Sequence, residues 1–356
     1  MSKLFATIFI CLFVFCSVEA GDYLTFYGMS DASAGAAVDS NSFIVADDEE
    51  NILKIYKTED NTKPVSVFDV SQFLGILPEY PEADIEAAAK VGNQIYWITS
   101  HGRNKDGKFR PGRYRFFATE LSADANIIKP VAKPYKDLAV DLIAFKSDVR
   151  KDLTDASGFG FDLKGKNVAK LAPKDEGLNI EGLCASADGK TLYIGFRNPL
   201  HKKDKKELAI VMPLKNAALV LEKGQKLAFG KPLLWDLDGL GIRDMAYSPF
   251  HKVFFIIAGA SKEKGGFALY RWSGQENKQP QLVRKIKDDG VKFAPEAIIV
   301  FDNTDKLLLL SDDGTIEVSV SSPEECKEAL TPDGKCLNKF LTNPNKKSFR
   351  AIWLKP

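Results

Sequence analysis

The sequence predicts an all-β fold, namely a β-propeller of five or six four-stranded blades with one helical insertion. Two observations carry this prediction. Short runs rich in β-branched and aromatic residues, bounded by Gly, Asp, Asn or Pro, recur along most of the chain. In addition, a short apolar stretch with an acidic or small residue at its head is followed five times by a stronger apolar run. Such a repeat is typical of small antiparallel sheets arranged around an axis.

The head residues define the predicted blades. Four heads are acidic, and the fifth is small but has Asp31 three residues before it; the five are Ala34, Glu86, Glu181, Asp244 and Glu296. Three of the four steps between successive heads span 52, 63 and 52 residues. Because propeller blades take about 40–50 residues, each of these steps fits one blade.

The remaining step, of 95 residues, is too long for one blade. Its segment 135–178 is either an insertion over one face or a degenerate sixth blade, and we favour the insertion because the apolar positions of Tyr135 to Phe145 suit a short helix. Strand-like runs at both ends, YLTFYG and FRAIWL, are expected to meet in one blade and close the ring. A pair of β-sandwiches is an alternative but would not explain the repeated heads, and a β-helix would need shorter, stricter repeats.

The N-terminus predicts export. Lys3 precedes an apolar run from Leu4 to Val18, and small residues before Gly21 indicate a signal peptide of residues 1–20. A lipid anchor at Cys16 is the alternative. We expect residues 21–356 to form a single domain that has no membrane span, is secreted or periplasmic, and is a monomer. The formal net charge of +1 gives no reason to expect a nucleic-acid partner.

Two of the five cysteines predict a disulfide. Cys326 and Cys336 bracket a short loop with a Pro-Asp-Gly turn, and in an oxidising compartment we expect them to be bonded rather than to be two free surface thiols. Cys184 lies in an apolar stretch with no histidine near it in sequence, which favours a buried structural thiol.

Blade geometry predicts a polar mouth at one end of the ring. Strands alternate in direction, so the start of each inner strand and the end of each second strand lie at the same end. This brings the acidic residues at the heads together with a second set of side chains, namely Asp47, Asp48, His101, Arg103, Asn104, Arg197, Asn198, Asp312 and Asp313. Crowded carboxylates raise one another's pKa unless positive charge intervenes. Either a hard cation or interleaved Arg and His side chains would supply it.

This mouth predicts a metal-dependent hydrolase of phosphate or other esters. Calcium is the expected cofactor, with Asp31, Glu86, Glu181, Asp244 and Glu296 as its ligands. A small anionic or ester ligand would be clamped by Arg103, Arg197 and Arg243, with His101 as general acid or base. One alternative is a secreted binding scaffold with a structural metal. Another is that each acidic head only binds the backbone of the neighbouring blade.

Other charged motifs are weaker. The run from Arg103 to Arg115 carries six basic residues and one acid, and it suits a solvated hairpin loop better than a polyanion site. His251 follows a turn that strand geometry places at the end opposite the mouth, so it is not expected to be catalytic.

Several motifs resemble a secreted bacterial family classed as domain of unknown function 3616. They are SDASAGAA, VADDEENILKIY, ADIEAAA, SHGRNKDGKFRP, APKDEGLNIEGL, DGKTLYIGFRNP, GLGIRDMAYS and YRWSG, which are distributed over residues 30–274. The resemblance covers nearly all of residues 21–356. The resemblance strengthens the predicted fold and implies no agreed activity. One blade, EGLCASADGKTLYIG, is also similar to phytase-like esterase propellers. This fold-level similarity implies metal-assisted hydrolysis only by analogy.

Overall fold

The fold is a five-bladed β-propeller. The computed structural model describes residues 23–59, 62–122, 128–161, 163–261, 265–286 and 292–356. The predicted signal peptide, residues 1–20, therefore lies outside the described residues. Within the described ranges, no helix is both long and apolar enough to cross a membrane.

The strands follow the chain as blades of antiparallel neighbours, and each blade begins with its innermost strand. The chain starts with β1 (Leu24–Tyr27). Blade 1 contains β2 (Ala32–Ala37), β3 (Ser42–Asp47), β4 (Ile52–Lys57) and β5 (Ser66–Asp69). Blade 2 contains β6 (Ile85–Val91), β7 (Gln94–Thr99), β8 (Phe116–Leu121) and β9 (Ile128–Tyr135).

Blades 3 and 4 continue the pattern. Blade 3 contains β10 (Asn179–Ala185), β11 (Leu192–Asn198), β12 (His201–Lys203), β13 (Lys206–Leu214) and β14 (Leu233–Trp235), with β12 and β14 both paired to β13. Blade 4 contains β15 (Gly241–Ser248), β16 (Val253–Gly259), β17 (Phe267–Trp272) and β18 (Gln281–Ile286).

Blade 5 joins the two ends of the chain. Its strands are β19 (Pro295–Val300), β20 (Leu307–Ser311), β23 (Ser348–Leu354) and, outermost, β1. A separate hairpin, β21 (Glu317–Ser319) and β22 (Lys335–Leu337), interrupts the blade. The N-terminal strand β1 takes the fourth position of the blade, which is the ring closure expected from the two termini.

Helices are short and lie outside the blades. They are α1 (Ser71–Leu74), α2 (Leu138–Ala144), α3 (Arg150–Ser157), α4 (Lys166–Ala169) and α5 (Ala217–Lys223), with 3-10 turns at Pro111–Arg113, Pro323–Glu325, Asn338–Phe340 and Pro344–Lys346. Helices α2 to α4 fill the long step between blades 2 and 3, so this step holds helices where a sixth blade would need strands. Helix α5 lies between β13 and β14, where the sequence analysis placed none.

The core of the described residues is a ring of apolar clusters, each between two adjacent blades. Ala34 of blade 1 packs in the same cluster as Trp97 of blade 2, and Phe26 of blade 5 shares another with Tyr56 of blade 1. The cluster between blades 2 and 3 also takes in Leu138 and Leu153 from the insertion helices. Each blade is thus apolar on both faces, and this buried surface drives the radial stacking.

The cysteines are placed as predicted. A disulfide joins Cys326, in the segment between β21 and β22, to Cys336 in β22. Cys184 is buried and free in the inner strand of blade 3, and burial raises the pKa of its thiol.

Candidate functional site

A β-bulge near the start of every inner strand positions the site. In each blade, one inner-strand residue has no partner on the second strand, and the five bulged residues are Ser33, Glu86, Glu181, Arg243 and Glu296. A bulge turns the extra side chain away from the regular alternation of the strand. The repeated head of the sequence is therefore this bulge, at the end of the ring where inner strands begin and second strands end, which we call the mouth.

Bulged residues of three consecutive blades meet around one guanidinium. The Nε atom of Arg243 lies 3.0 Å from Oε2 of Glu181, and its Nη2 forms an ion pair with Glu296. Arg197, at the end of β11, donates from Nη1 to Oε1 of Glu181 at 2.9 Å. All of these groups except Glu296 are buried. They form an arginine–glutamate network in which most of the charge is internally compensated.

Carboxylates gather on the side of the mouth formed by blades 1 and 2. One oxygen each of Asp31, Asp47 and Asp48 lies within 4.8 Å of the others, and the same holds for Asp48, Asp84 and Glu86. Asp48 belongs to both groups, so the five residues form one continuous acidic cluster. Asp312 of blade 5 adjoins it through a backbone bridge to Asp31.

Burial and mutual repulsion act together on these acids. Burial, followed by the charges of Asp312 and Asp47, raises the pKa of Asp31 well above its usual range. Burial also raises the pKa of Asp48, and the charges of Asp31 and Glu86 add to this rise. The pKa of Asp47 rises to about 6, because burial outweighs the hydrogen bonds that its carboxylate accepts. The cluster is therefore short of positive charge.

The negative charge of the acidic cluster is only partly compensated. Arg113 pairs with Asp84, Nη1 to Oδ2 at 2.9 Å, and also with Glu82. By contrast, Oδ1 of Asp48 is buried and has no hydrogen-bond partner among the described residues. A buried carboxylate oxygen without a partner is costly. Oxygen donors this close together fit a hard cation such as calcium, which takes six to eight oxygen ligands.

Glycine is required next to the cluster. A Cβ atom on Gly314 would lie 1.7 Å from Oδ1 of Asp31. The backbone that follows Asp312 thus packs directly against the Asp31 carboxylate, whose Oδ2 also accepts a hydrogen bond from Ser30 Oγ at 2.6 Å. This close packing fixes the orientation of Asp31 at the edge of the cluster.

The predicted head of blade 4 is shifted by one residue. Asp244 follows the bulge, and its two oxygens accept hydrogen bonds from the backbone N–H groups of Met245 and Ile298, each at 2.7 Å. Ile298 lies on the inner strand of blade 5, so Asp244 links two blades. The bulged residue of blade 4 is Arg243, and its side chain, not that of the predicted metal ligand Asp244, pairs with Glu181 and Glu296.

Blade 1 shows the same kind of shift. Its bulged residue is Ser33, whose Oγ donates to the backbone carbonyl of Ile85 in blade 2 at 2.6 Å. Asp31 reaches the acidic cluster from just before β2. Asp31 and Glu86 thus belong to the same acidic cluster through Asp48, but Asp31 enters it from a different position from that of the other heads.

His101 and Arg103 are not in hydrogen-bond contact with the acidic cluster. The His101 ring is buried beside Tyr114, its Nδ1 donates to the Thr99 carbonyl at 2.8 Å, and its Nε2 has no partner among the described residues. Burial lowers its pKa to about 4. Arg103 donates to the carbonyls of Ser157 and Gly107, at 3.1 and 3.2 Å, and so ties its loop to the end of α3.

Sequence reasoning missed two residues of the mouth. Asp84 lies two positions before Glu86 within the motif already noted, with a backbone φ of 61°. Arg113 lies in the basic run that was interpreted as a solvated loop, but its side chain is only 12% exposed. Arg115 in the same run is buried too, and it donates from Nε to the Leu74 carbonyl at 2.7 Å. The solvated-loop interpretation was therefore wrong for these two arginines.

A second opening lies at the other end of the propeller. It measures about 870 Å³ and is bounded by the ends of the inner strands and the turns that follow them, including Ala88, Cys184, Tyr247 and Asp302. Neither group of close carboxylates found in the described residues lines it. The acidic cluster and this cavity are thus at opposite ends of the axis.

Comparison with known proteins supports the family resemblance. Residues 138–312 match the model of the family described as "Protein of unknown function (DUF3616)". This match confirms the resemblance given by the sequence motifs. No curated protein sequence matches the chain.

Solved structures resemble the chain at low sequence identity. Glutaminyl cyclase of Myxococcus xanthus is 9% identical, with a TM-score of 0.43 over 80% of this chain and 88% of the other. The β-propeller domain of Cps50 (Swd1) from Myceliophteria thermophila is 10% identical, with a TM-score of 0.31 over 90% and 82%. A luciferin-regenerating enzyme is 10% identical, with a TM-score of 0.35 over 93% and 95%.

Proposed function

We propose that this propeller binds a divalent cation, with calcium as the best fit, at the acidic cluster and uses it to hydrolyse a phosphate ester or a related anionic ester at the mouth. One observation carries the proposal. The unpartnered Oδ1 of Asp48 belongs to a residue whose carboxylate lies within 4.8 Å of acidic oxygens on both sides. A cation would satisfy this oxygen and relieve the repulsion that raises the pKa values of the cluster.

Asp31, Asp47 and Asp48 would hold the cation. They lie at the adjoining ends of β2 and β3, and Asp47 is fixed in place by backbone N–H groups, including that of Glu49 at 2.9 Å. A bound divalent cation supplies Lewis acidity for an ester oxygen. The three aspartates would fix the position of the cation, because their backbone segments pair in a rigid sheet.

The arginine–glutamate network would orient the anionic part of the substrate. The Nε of Arg197 is buried without a hydrogen-bond partner among the described residues, as is that of Arg113. Arg197 already holds one carboxylate and Arg113 holds two, and each guanidinium retains an N–H for a further oxygen. Guanidinium groups suit this task because they bind phosphate and carboxylate oxygens with directional hydrogen bonds.

Glu86 is the best-placed general acid or base. Burial and the charges of Asp84 and Glu181 raise its pKa well above the usual range, while Arg243 and Arg113 oppose the rise. A carboxyl group of this kind exchanges a proton more readily near neutral pH than an ordinary glutamate does. It replaces His101 in this role, since the histidine ring faces Tyr114 and Thr99.

The second candidate is a secreted binding scaffold with a structural cation. It is favoured by the extent to which Glu181 and Glu296 already neutralise Arg243. In this case the cation would stabilise the contact between blades 1 and 2, and the mouth would bind a ligand without turning it over. Export, in either case, is supported by the disulfide between Cys326 and Cys336.

Calcium titration and turnover together test the proposal. Wild-type protein, stripped with chelator, is expected to gain thermal stability when calcium is added, and Asp48→Asn should lose most of this gain. Asp302→Asn, an exposed acid at the opposite end, is the matched control and should respond like wild type. A stabilisation of about 2.7 kcal/mol is expected at a calcium concentration 100-fold above Kd. No stabilisation by calcium would refute the cation site.

Turnover separates the two candidates. Hydrolysis of phosphate or carboxylic esters that requires calcium and is lost in Glu86→Gln supports the enzyme. A calcium-dependent gain in stability without turnover of any ester refutes the enzyme and leaves the scaffold.

A further inference from the structure

A concave apolar surface adjoins the mouth on blade 2. This opening, of about 410 Å³, lies between helix α2 and the loop that carries residues 109–115. We call it the aromatic groove, and its apolar walls are Leu77, Phe109, Tyr114, Ala139, Val140 and Phe159. The mechanism above uses none of these side chains.

Two apolar side chains of the groove wall are exposed to solvent. Phe109 is 45% exposed and Val140 is 50% exposed. The ring centroid of Phe109 lies 4.8 Å from that of Tyr114, and Tyr114 lies 5.7 Å from Phe159. Single exposed apolar residues are normal, but rings that converge on one concavity indicate a site for an apolar group.

Positive charge borders the groove. Lys136 lies on its edge. Arg110 lies on the loop of residues 109–115, and its guanidinium stacks over the Tyr80 ring at 4.8 Å. In contrast, Asp137 is the only acidic residue among the described groove-lining residues. This charge favours a ligand that combines an apolar body with an anionic group.

A 3-10 turn links the groove to the acidic cluster. Pro111 and Gly112 line the groove, and the next residue, Arg113, reaches Asp84 of the acidic cluster at 2.9 Å. Tyr114 then returns to the groove wall, and the charge of Asp84 contributes to raising its pKa, after the larger effect of burial. A ligand in the groove is therefore separated from Asp84 of the acidic cluster by the side chain of Arg113.

We propose that the aromatic groove binds the aromatic ring of an aryl ester whose anionic group lies at the mouth. This inference rests on the proposed function and names its substrate class: aryl phosphates and similar anionic aryl esters in preference to short alkyl ones. The groove supplies binding to the part of the substrate that does not react, and this raises affinity for the ring without changing the chemistry.

Binding of two model ligands tests the groove. Phenyl phosphate and methyl phosphate carry the same charged group and differ in the ring, so their dissociation constants are compared by calorimetry on calcium-saturated wild-type protein. We expect phenyl phosphate to bind at least about 10-fold more tightly, as expected for burial of about 60 Å² of apolar surface. Phe109→Ala and Val140→Asp should reduce this preference to about 2-fold or less and leave methyl phosphate unaffected.

Phe250→Ala is the matched control, because Phe250 is 55% exposed at the end of the propeller opposite the mouth. It should retain the full preference. Equal affinity for the two ligands in wild type, or an unchanged preference in both groove variants, overturns the groove while the cation site stands. Failure of wild type to bind either ligand with calcium present overturns both proposals, and the calcium-dependent melting measurement shows whether the cation site is the part that failed.

Discussion

Arg243 on the inner strand of blade 4 pairs with Glu181 on the inner strand of blade 3, with Nε 3.0 Å from Oε2. Both residues are the bulged residues of their strands, and both are buried. The same guanidinium pairs with Glu296 of blade 5. One side chain thus connects three blades at the mouth by charge, where the apolar clusters connect them farther out.

Removing Arg243 should destabilise the ring. Arg243→Met leaves the buried Glu181 and the partly buried Glu296 without this counter-charge, so the free energy of unfolding should fall by about 3 kcal/mol. In a double-mutant cycle with Glu181→Gln, the two losses should be less than additive by about 1 kcal/mol or more. Urea unfolding measures all four proteins.

Lys206→Met provides the control for this cycle. Lys206 pairs with Asp236 at 2.6 Å, but its side chain is 64% exposed, so the loss should stay within about 0.5 kcal/mol. If Arg243→Met costs no more than Lys206→Met, the network does not hold the blades together.

Asp244 should matter for stability and not for cation binding. Asp244→Ala leaves the N–H groups of Met245 and Ile298 without their acceptor, and unfolding free energy should fall by about 2–3 kcal/mol. The rise in melting temperature on adding calcium should nevertheless equal that of wild type. Loss of this calcium response in Asp244→Ala would restore Asp244 as a ligand.

The difference between Arg243 and Asp244 shows what sequence can predict here. The apolar runs predict the strands and blades, because burial on both faces imposes a pattern that survives without any knowledge of contacts. A bulge adds one residue and leaves that apolar pattern intact, so the sequence does not show whether Arg243 or Asp244 is displaced toward the axis. Selecting the acidic residue therefore gave the inter-blade link instead of the mouth residue.

Long-range pairing hides the other missed residues. The residues around Arg113 in the sequence have the composition of a solvated loop. Only the fold brings Asp84 and Glu82 into contact with its guanidinium. Asp48 was placed at the mouth by strand direction alone, yet its role as the residue shared by both carboxylate groups depends on distances between blades. Periodicity contains no information on such distances.

The stability of the protein should depend on the ionisation of His101 at acid pH. Burial lowers its pKa from 6.5 to about 4, so the folded protein favours the neutral ring. The contribution of the neutral ring to the free energy of unfolding is about 3 kcal/mol. It is complete above pH 6.5 and is lost as pH falls through 4. His101→Asn cannot ionise, and Asn tolerates the backbone φ of 52° at this position.

Chemical unfolding between pH 7 and pH 4 tests this dependence. The variant is expected to be less stable than wild type at pH 7, and the difference should shrink or reverse toward pH 4. A difference that stays constant over this range would mean that His101 does not titrate on unfolding, because the other acidic and basic groups are common to both proteins.

Closure of the ring by β1 should be the largest stability contribution of the N-terminal segment. Phe26 is 2% exposed, and its ring stacks on Phe349 of the neighbouring strand with centroids 5.3 Å apart. Phe26→Ala removes this packing between blades 5 and 1, and we expect a loss of about 3–5 kcal/mol in unfolding free energy. Tyr27, the next residue on the same strand, is 39% exposed, so Tyr27→Ala should cost about 1 kcal/mol or less. Calorimetry of both variants decides the matter: equal melting temperatures would mean that β1 is not part of the cooperative unit, since only one of the two side chains faces the core.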